Sequence, residues 1–94
     1  MNVRYYLNAE TGLPHIYDHG ISEDEVEEVL FGSGKETPAK REAWMKIGQT
    51  TSGRYLQVIH SPDEDGEGAF VIMAYELDDK AKKAYRRQRR RKGR

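Results

Sequence analysis

The chain has 94 residues, 36% of them hydrophobic and 34% charged, with mean hydropathy −0.93, enough for one domain with a modest core. It contains no cysteine, which excludes disulfides, thiolate nucleophiles and cysteine-based zinc sites and suits a cytoplasmic protein. Sixteen cationic and sixteen acidic side chains cancel formally. Ten of the cations, however, lie between Lys80 and Arg94 with no acid among them, so residues 1–79 carry −10 against a segment of +10. Blocks of one sign repel themselves and serve as surfaces for oppositely charged partners, of which a polyphosphate backbone is the commonest. No apolar run has signal-peptide length or approaches a membrane span, and no membrane partner is expected.

Taken in order, Asn2 to Leu7 holds β-formers and predicts a short edge strand. Leu13 to Gly20 predicts one or two helical turns, with Pro14 suited to the start and Gly20 to the left-handed residue at the end. Ser22-Glu23-Asp24-Glu25 is a capping box, with Ile21 and Val26 spaced as a hydrophobic staple. Val26, Val29 and Leu30 form the apolar stripe of a helix over about Glu23 to Phe31. Lys35 to Glu42 reads as a loop or a poor edge strand. Three strands follow: Ala43 to Thr50, Arg54 to His60 after the Thr51-Ser52-Gly53 turn, and Ala69 to Leu77 after an acidic turn cluster. The last of these is continuously apolar, the pattern of a central strand covered on both faces.

Asp78 or Asp79 then caps a basic helix in which Ala81, Ala84, Tyr85 and Gln88 make a narrow body-facing stripe. The expected fold is α+β: N-terminal helices, a three- to four-stranded antiparallel meander sheet and a C-terminal basic helix. A single domain over residues 1–89 is expected, with residues 90–94 as a frayed basic tail.

His19-Gly20-Ile21-Ser22 before an acidic Val-Val-Leu helix, Arg41-x-x-Trp44-x-x-Ile47-Gly48, the turn Ser52-Gly53-Arg54, Val58-Ile59-His60, and Ile72-x-Ala74 leading into a basic helix with Tyr85 form one ordered series. In this order and spacing, from Leu13 to Arg87, the chain resembles the BrnT-type toxins and the related uncharacterised small domains. The resemblance implies a RelE-like fold and a metal-independent endoribonuclease from a toxin–antitoxin pair, with the site on the sheet beside the last helix. Two positions depart from the family pattern: Asp18 stands where Lys is usual and Tyr75 where Arg is usual. Weak or absent nuclease activity is therefore expected.

Metal-independent RNA cleavage needs a base for the 2′-hydroxyl, an acid for the leaving 5′-oxygen and fixed positive charge. His60 is the acid–base candidate by residue type, though a strand-end His bonding the turn backbone is the plainer reading. Arg41, Arg54 and Tyr75 complete the catalytic set, and Lys46, Lys82, Lys83, Arg86, Arg87 and Arg90 are candidate nucleic-acid contacts. His15 and His19, four apart around Asp18, have a helical metal-binding spacing, but the segment is short and no third His or Cys is near. No metal and no cofactor are expected. Three readings stay open: an RNA-directed ribonuclease restrained by an antitoxin, a non-catalytic RNA- or ribosome-binding module, and a charge-driven interaction domain forming a homodimer.

Overall fold

The computed structural model describes residues 2–64 and 66–92, the side chains of residues 90–92 excepted. The elements in order are β1 (Asn2–Tyr5), a 3-10 turn (His15–His19), α1 (Glu23–Phe31), β2 (Lys35–Pro38), a tight turn (Lys40–Glu42), β3 (Trp44–Gln49), β4 (Tyr55–Pro62), β5 (Gly68–Glu76) and α2 (Asp79–Lys92). The fold is α+β, with a five-stranded sheet in the order β1-β5-β4-β3-β2.

Local signals set the first half. The Ser22 hydroxyl accepts from the Glu25 amide and the Glu25 carboxylate accepts from the Ser22 amide, so the capping box forms and α1 starts at Glu23. Gly20 takes φ 71°, and its left-handed conformation ends the preceding turn so that Ile21 can drop into the core. Ile16, Ile21, Val26 and Val29 then meet Leu56, Val58, Val71 and Ala74, all buried, to make one core on a single face of the sheet. Gly48 lets α1 approach closely, since a Cβ there would sit 3.2 Å from Val29 Cγ1.

The antiparallel meander is corrected in extent and in kind. β2 to β5 do run antiparallel, but the sheet is mixed, because β1 pairs parallel with β5 from Asn2↔Gly68 to Tyr5↔Val71. A parallel pair needs a long crossover, and here the whole of α1 and β2 to β4 supplies it. The Tyr5 hydroxyl donates to Glu27 at 3.0 Å and ties β1 to α1; burial first, and then Glu27, push the phenol above its ordinary range. The first of the expected N-terminal helical segments, Leu13 to Gly20, forms as a five-residue 3-10 helix over His15–His19 and not as an α-helix.

β5 also departs from the expectation. Ala69, Val71 and Ala74 are buried, whereas Phe70, Ile72, Met73 and Tyr75 on the other face stay half-exposed. A bulge opposite Ile59 and His60 shifts the alternation along the strand.

The Asp78 carboxylate accepts from the Ala81 amide at 2.8 Å and caps α2. α2 crosses the end of the sheet where β4 and β2 begin. Tyr85, 7% exposed, packs edge-on against Tyr55; Lys35 Nζ donates to Gln88 Oε1; and Arg89 donates to the Ser33 carbonyl. Ala84 is exposed, so the anchoring stripe is narrower than expected. The helical backbone continues to Lys92, and the rest of the expected frayed tail, Gly93 and Arg94, lies outside the described residues.

Candidate nucleic-acid interface

α2 carries cations that the body does not neutralise. Lys80, Lys83, Arg86 and Arg87 are exposed and have no carboxylate partner among the described residues. Lys82 differs: its Nζ lies 3.6 Å from Glu76 Oε2. The Arg90 side chain, a predicted contact, lies outside what is described. Where α2 passes the end of α1, a groove of about 460 Å³ opens, walled by Arg86, Arg89, Tyr55 and Tyr85 and bordered by Glu28 and Gly34.

The body's own cations are engaged. Lys46 Nζ donates to the Leu30 and Gly32 carbonyls at 2.8 and 2.6 Å, satisfying the C-terminal end of α1, where a cation also suits the helix dipole. Arg54 donates to Glu25 at 2.8 Å, to Glu76 at 3.1 Å and to the Gly20 carbonyl. The hydrogen bond with Glu25 is the main reason its guanidinium is held more firmly protonated than usual, against the opposing effect of burial. In return, burial works to raise the Glu25 carboxyl but is outweighed by the Ser22 amide and Arg54, which hold it below the usual range. Lys46, a predicted nucleic-acid contact, and Arg54, a predicted catalytic residue, thus act as clamps within the fold.

The four predicted catalytic residues do not form one cluster. His60 is 5% exposed on the α1 side of the sheet, with Nε2 at 3.0 Å from Glu36 Oε1 and Nδ1 buried without a partner. Arg41 lies at the same end of the sheet, in the Lys40–Glu42 turn beside Trp44, which pairs with His60. Arg54 and Tyr75 lie at the opposite end. Gln57, the cross-strand partner of Tyr75, is three residues from His60 along β4, roughly 10 Å, and points to the other face.

Tyr75 instead belongs to a row of rings along the outer edge of β5. Tyr6 and His15 have centroids 5.9 Å apart, His15 and His19 5.5 Å, and His19 and Tyr75 6.2 Å. Asn8 Nδ2 donates to Asp18 Oδ2 at 2.7 Å, and that oxygen lies 3.5 Å from His15 Nδ1. Gln57 Nε2 donates to the Tyr75 hydroxyl at 2.7 Å. Among the described residues no group of three His, Asp or Glu is placed to hold a metal ion. The i, i+4 histidine spacing was the signal for this row, but in sequence it points to metal ligation. Tyr75 and Gln57, which give it another meaning, are brought in by the sheet.

Compared with known proteins, the chain matches no family description, no curated protein and no solved structure.

Proposed function

We propose that the protein is an RNA-directed module of the RelE-like kind that its resemblance to BrnT-type toxins implies, working in the cytoplasm and contacting the phosphate backbone through α2. The observation that carries this is the set of exposed cations, Lys80, Lys83, Arg86 and Arg87, which among the described residues have no carboxylate partner, on a body that is otherwise acidic. An antitoxin would act by covering this cationic face, and the ribosome is a natural place to meet RNA.

Such binding is dominated by counterion release. Four single-strand phosphate contacts give a slope of log affinity against log salt of about −3. Titrating a short labelled RNA by anisotropy at several salt concentrations tests it: the triple variant Lys83→Ala, Arg86→Ala, Arg87→Ala flattens the slope to about −1. A wild-type slope near zero, or a triple variant that binds like wild type, sinks the reading.

A charge-driven homodimer has one observation in its favour. Asp24 and Glu28 lie exposed on α1, so one copy's acidic helix complements another's α2. Light scattering at low and high salt separates the two, because a dimer held this way dissociates as salt rises.

A further inference from the structure

We propose that His15 and His19 are the acid–base pair of a metal-independent phosphodiester-cleaving site at the outer edge of β5, with Tyr75 as its hydrogen-bond donor to the phosphate. The assignment rests on the RNA-directed reading above, which supplies the substrate.

The geometry supports each role. Imidazole is the side chain whose ordinary titration spans neutral pH, and two of them here have centroids 5.5 Å apart, close enough to reach different oxygens of one phosphodiester. Both are accessible, whereas the other histidine, His60, is sealed against Glu36. His15 is held from behind. Asp18, itself fixed by Asn8, faces its Nδ1 and favours the tautomer with hydrogen there, leaving Nε2 as the proton acceptor. Oriented in this way, His15 takes the proton from the 2′-hydroxyl. His19, between His15 and Tyr75, is the acid.

The Tyr75 hydroxyl accepts from Gln57, so its own proton remains available to a non-bridging oxygen, and the Gln57 bond polarises it toward donation. α2 begins at Asp79, four residues beyond Tyr75, so the cations that hold the strand follow directly from the strand that bears this donor.

The step balances without an oxidant or a metal. The 2′-oxygen attacks phosphorus as its proton passes to His15, the bond from phosphorus to the 5′-oxygen breaks, and protonated His19 gives its proton to that oxygen. The products are a 2′,3′-cyclic phosphate and a 5′-hydroxyl, and the two histidines end with their protonation exchanged, to be reset by solvent.

The test uses the full chain in excess EDTA with an RNA oligonucleotide, following cleavage and binding separately. On this assignment the wild type cleaves RNA to cyclic-phosphate ends, at the weak end of the activity that the Asp18 and Tyr75 departures imply, and leaves DNA of the same sequence intact. His15→Ala and His19→Ala each lower cleavage about 100-fold or more, and the double variant falls no further than the worse single one, as expected of groups that act together. RNA binding stays intact in all three. His15→Asn and His19→Asn repeat the measurement with a polar side chain kept in the turn, and they decide the matter if the alanine variants unfold. Asp18→Asn, a positioning change, lowers kcat with KM unaltered.

Wild-type protein that binds RNA but leaves it whole overturns this assignment and spares the parent reading. So do histidine variants that cleave like wild type, or cleavage that depends on His60 and survives without His15. Failure to bind RNA overturns both.

Discussion

The face of the sheet under α1 and the outer edge with α2 use the same residue types to opposite ends. Under α1, Arg54, Lys46 and His60 each meet a carboxylate or a carbonyl of their own chain at 3.1 Å or less. On α2 the arginines at 86 and 87 meet no carboxylate among the described residues, and along the edge of β5 His19 is exposed and His15 half-exposed. A cation in a small domain is either a fastener or a contact, and burial with a designated acceptor decides which. The comparison therefore predicts a division: changes on the covered face cost stability, and changes on the outer side cost RNA affinity or turnover.

The sharpest way to break that division is Arg54→Ala. It leaves Glu25 partly buried without its main partner and frees the N-terminal end of α1 from β4 and β5. A loss of about 2–3 kcal/mol is expected by urea denaturation, with RNA affinity unchanged once the protein is folded. A shift below about 0.5 kcal/mol would mean the clamp is ornamental.

A smaller and more specific effect concerns pH. The Glu25 carboxyl is held below its usual range, so its stabilising contribution is complete above the unfolded value, near 4.3, and disappears as pH falls through the lower folded value. Glu25→Gln keeps a capping-box residue while removing the charge. Its deficit relative to wild type should be visible at neutral pH and close on acidification, as followed by thermal melts across the acid range.

Smaller still is a gain. Arg41 and Glu42 both hold positive φ, 58° and 62°, which costs an ordinary residue and suits glycine. Glu42→Gly is expected to stabilise by about 0.5–1 kcal/mol, measured by the shift in denaturation midpoint. The smallest expected stability effect is that of Arg86→Ala with Arg87→Ala, within about 0.5 kcal/mol of wild type, because among the described residues neither side chain has a carboxylate partner to lose. A large destabilisation by this pair would erase the distinction between the two regions.

What the sequence discloses follows how local the cause is. The α1 boundaries are legible because Ser22, Glu25 and the Val26/Val29/Leu30 stripe lie within nine residues of each other. The β3–β4 hairpin follows from a turn at Ser52 and Gly53. The partner of β1 is not legible, since nothing in Asn2 to Tyr5 says that Gly68 to Val71 lies alongside. Lys35 to Pro38 carries no strand pattern of its own and becomes β2 by pairing with β3.

The same holds for the site. Ten cations in one stretch are visible at a glance, whereas the depth of His60 depends on Glu36 and Trp44 arriving from other strands. The edge row joins Asn8, His15, His19, Gln57 and Tyr75, which only a folded chain brings together.

The parallel pairing of β1 has a further consequence for how the chain acquires its shape. Asn2 meets Gly68 only after the intervening segment has been made, so this pairing closes the longest loop in the sheet and bears its full entropic cost. β5 can join β4 first and wait with one backbone edge unpaired, a state open to another extended segment. In hydrogen exchange, β1 amides should open at lower free energy than those at the centre of β4. On the ribosome, the first of these five strands to be made is then the last to find its seat.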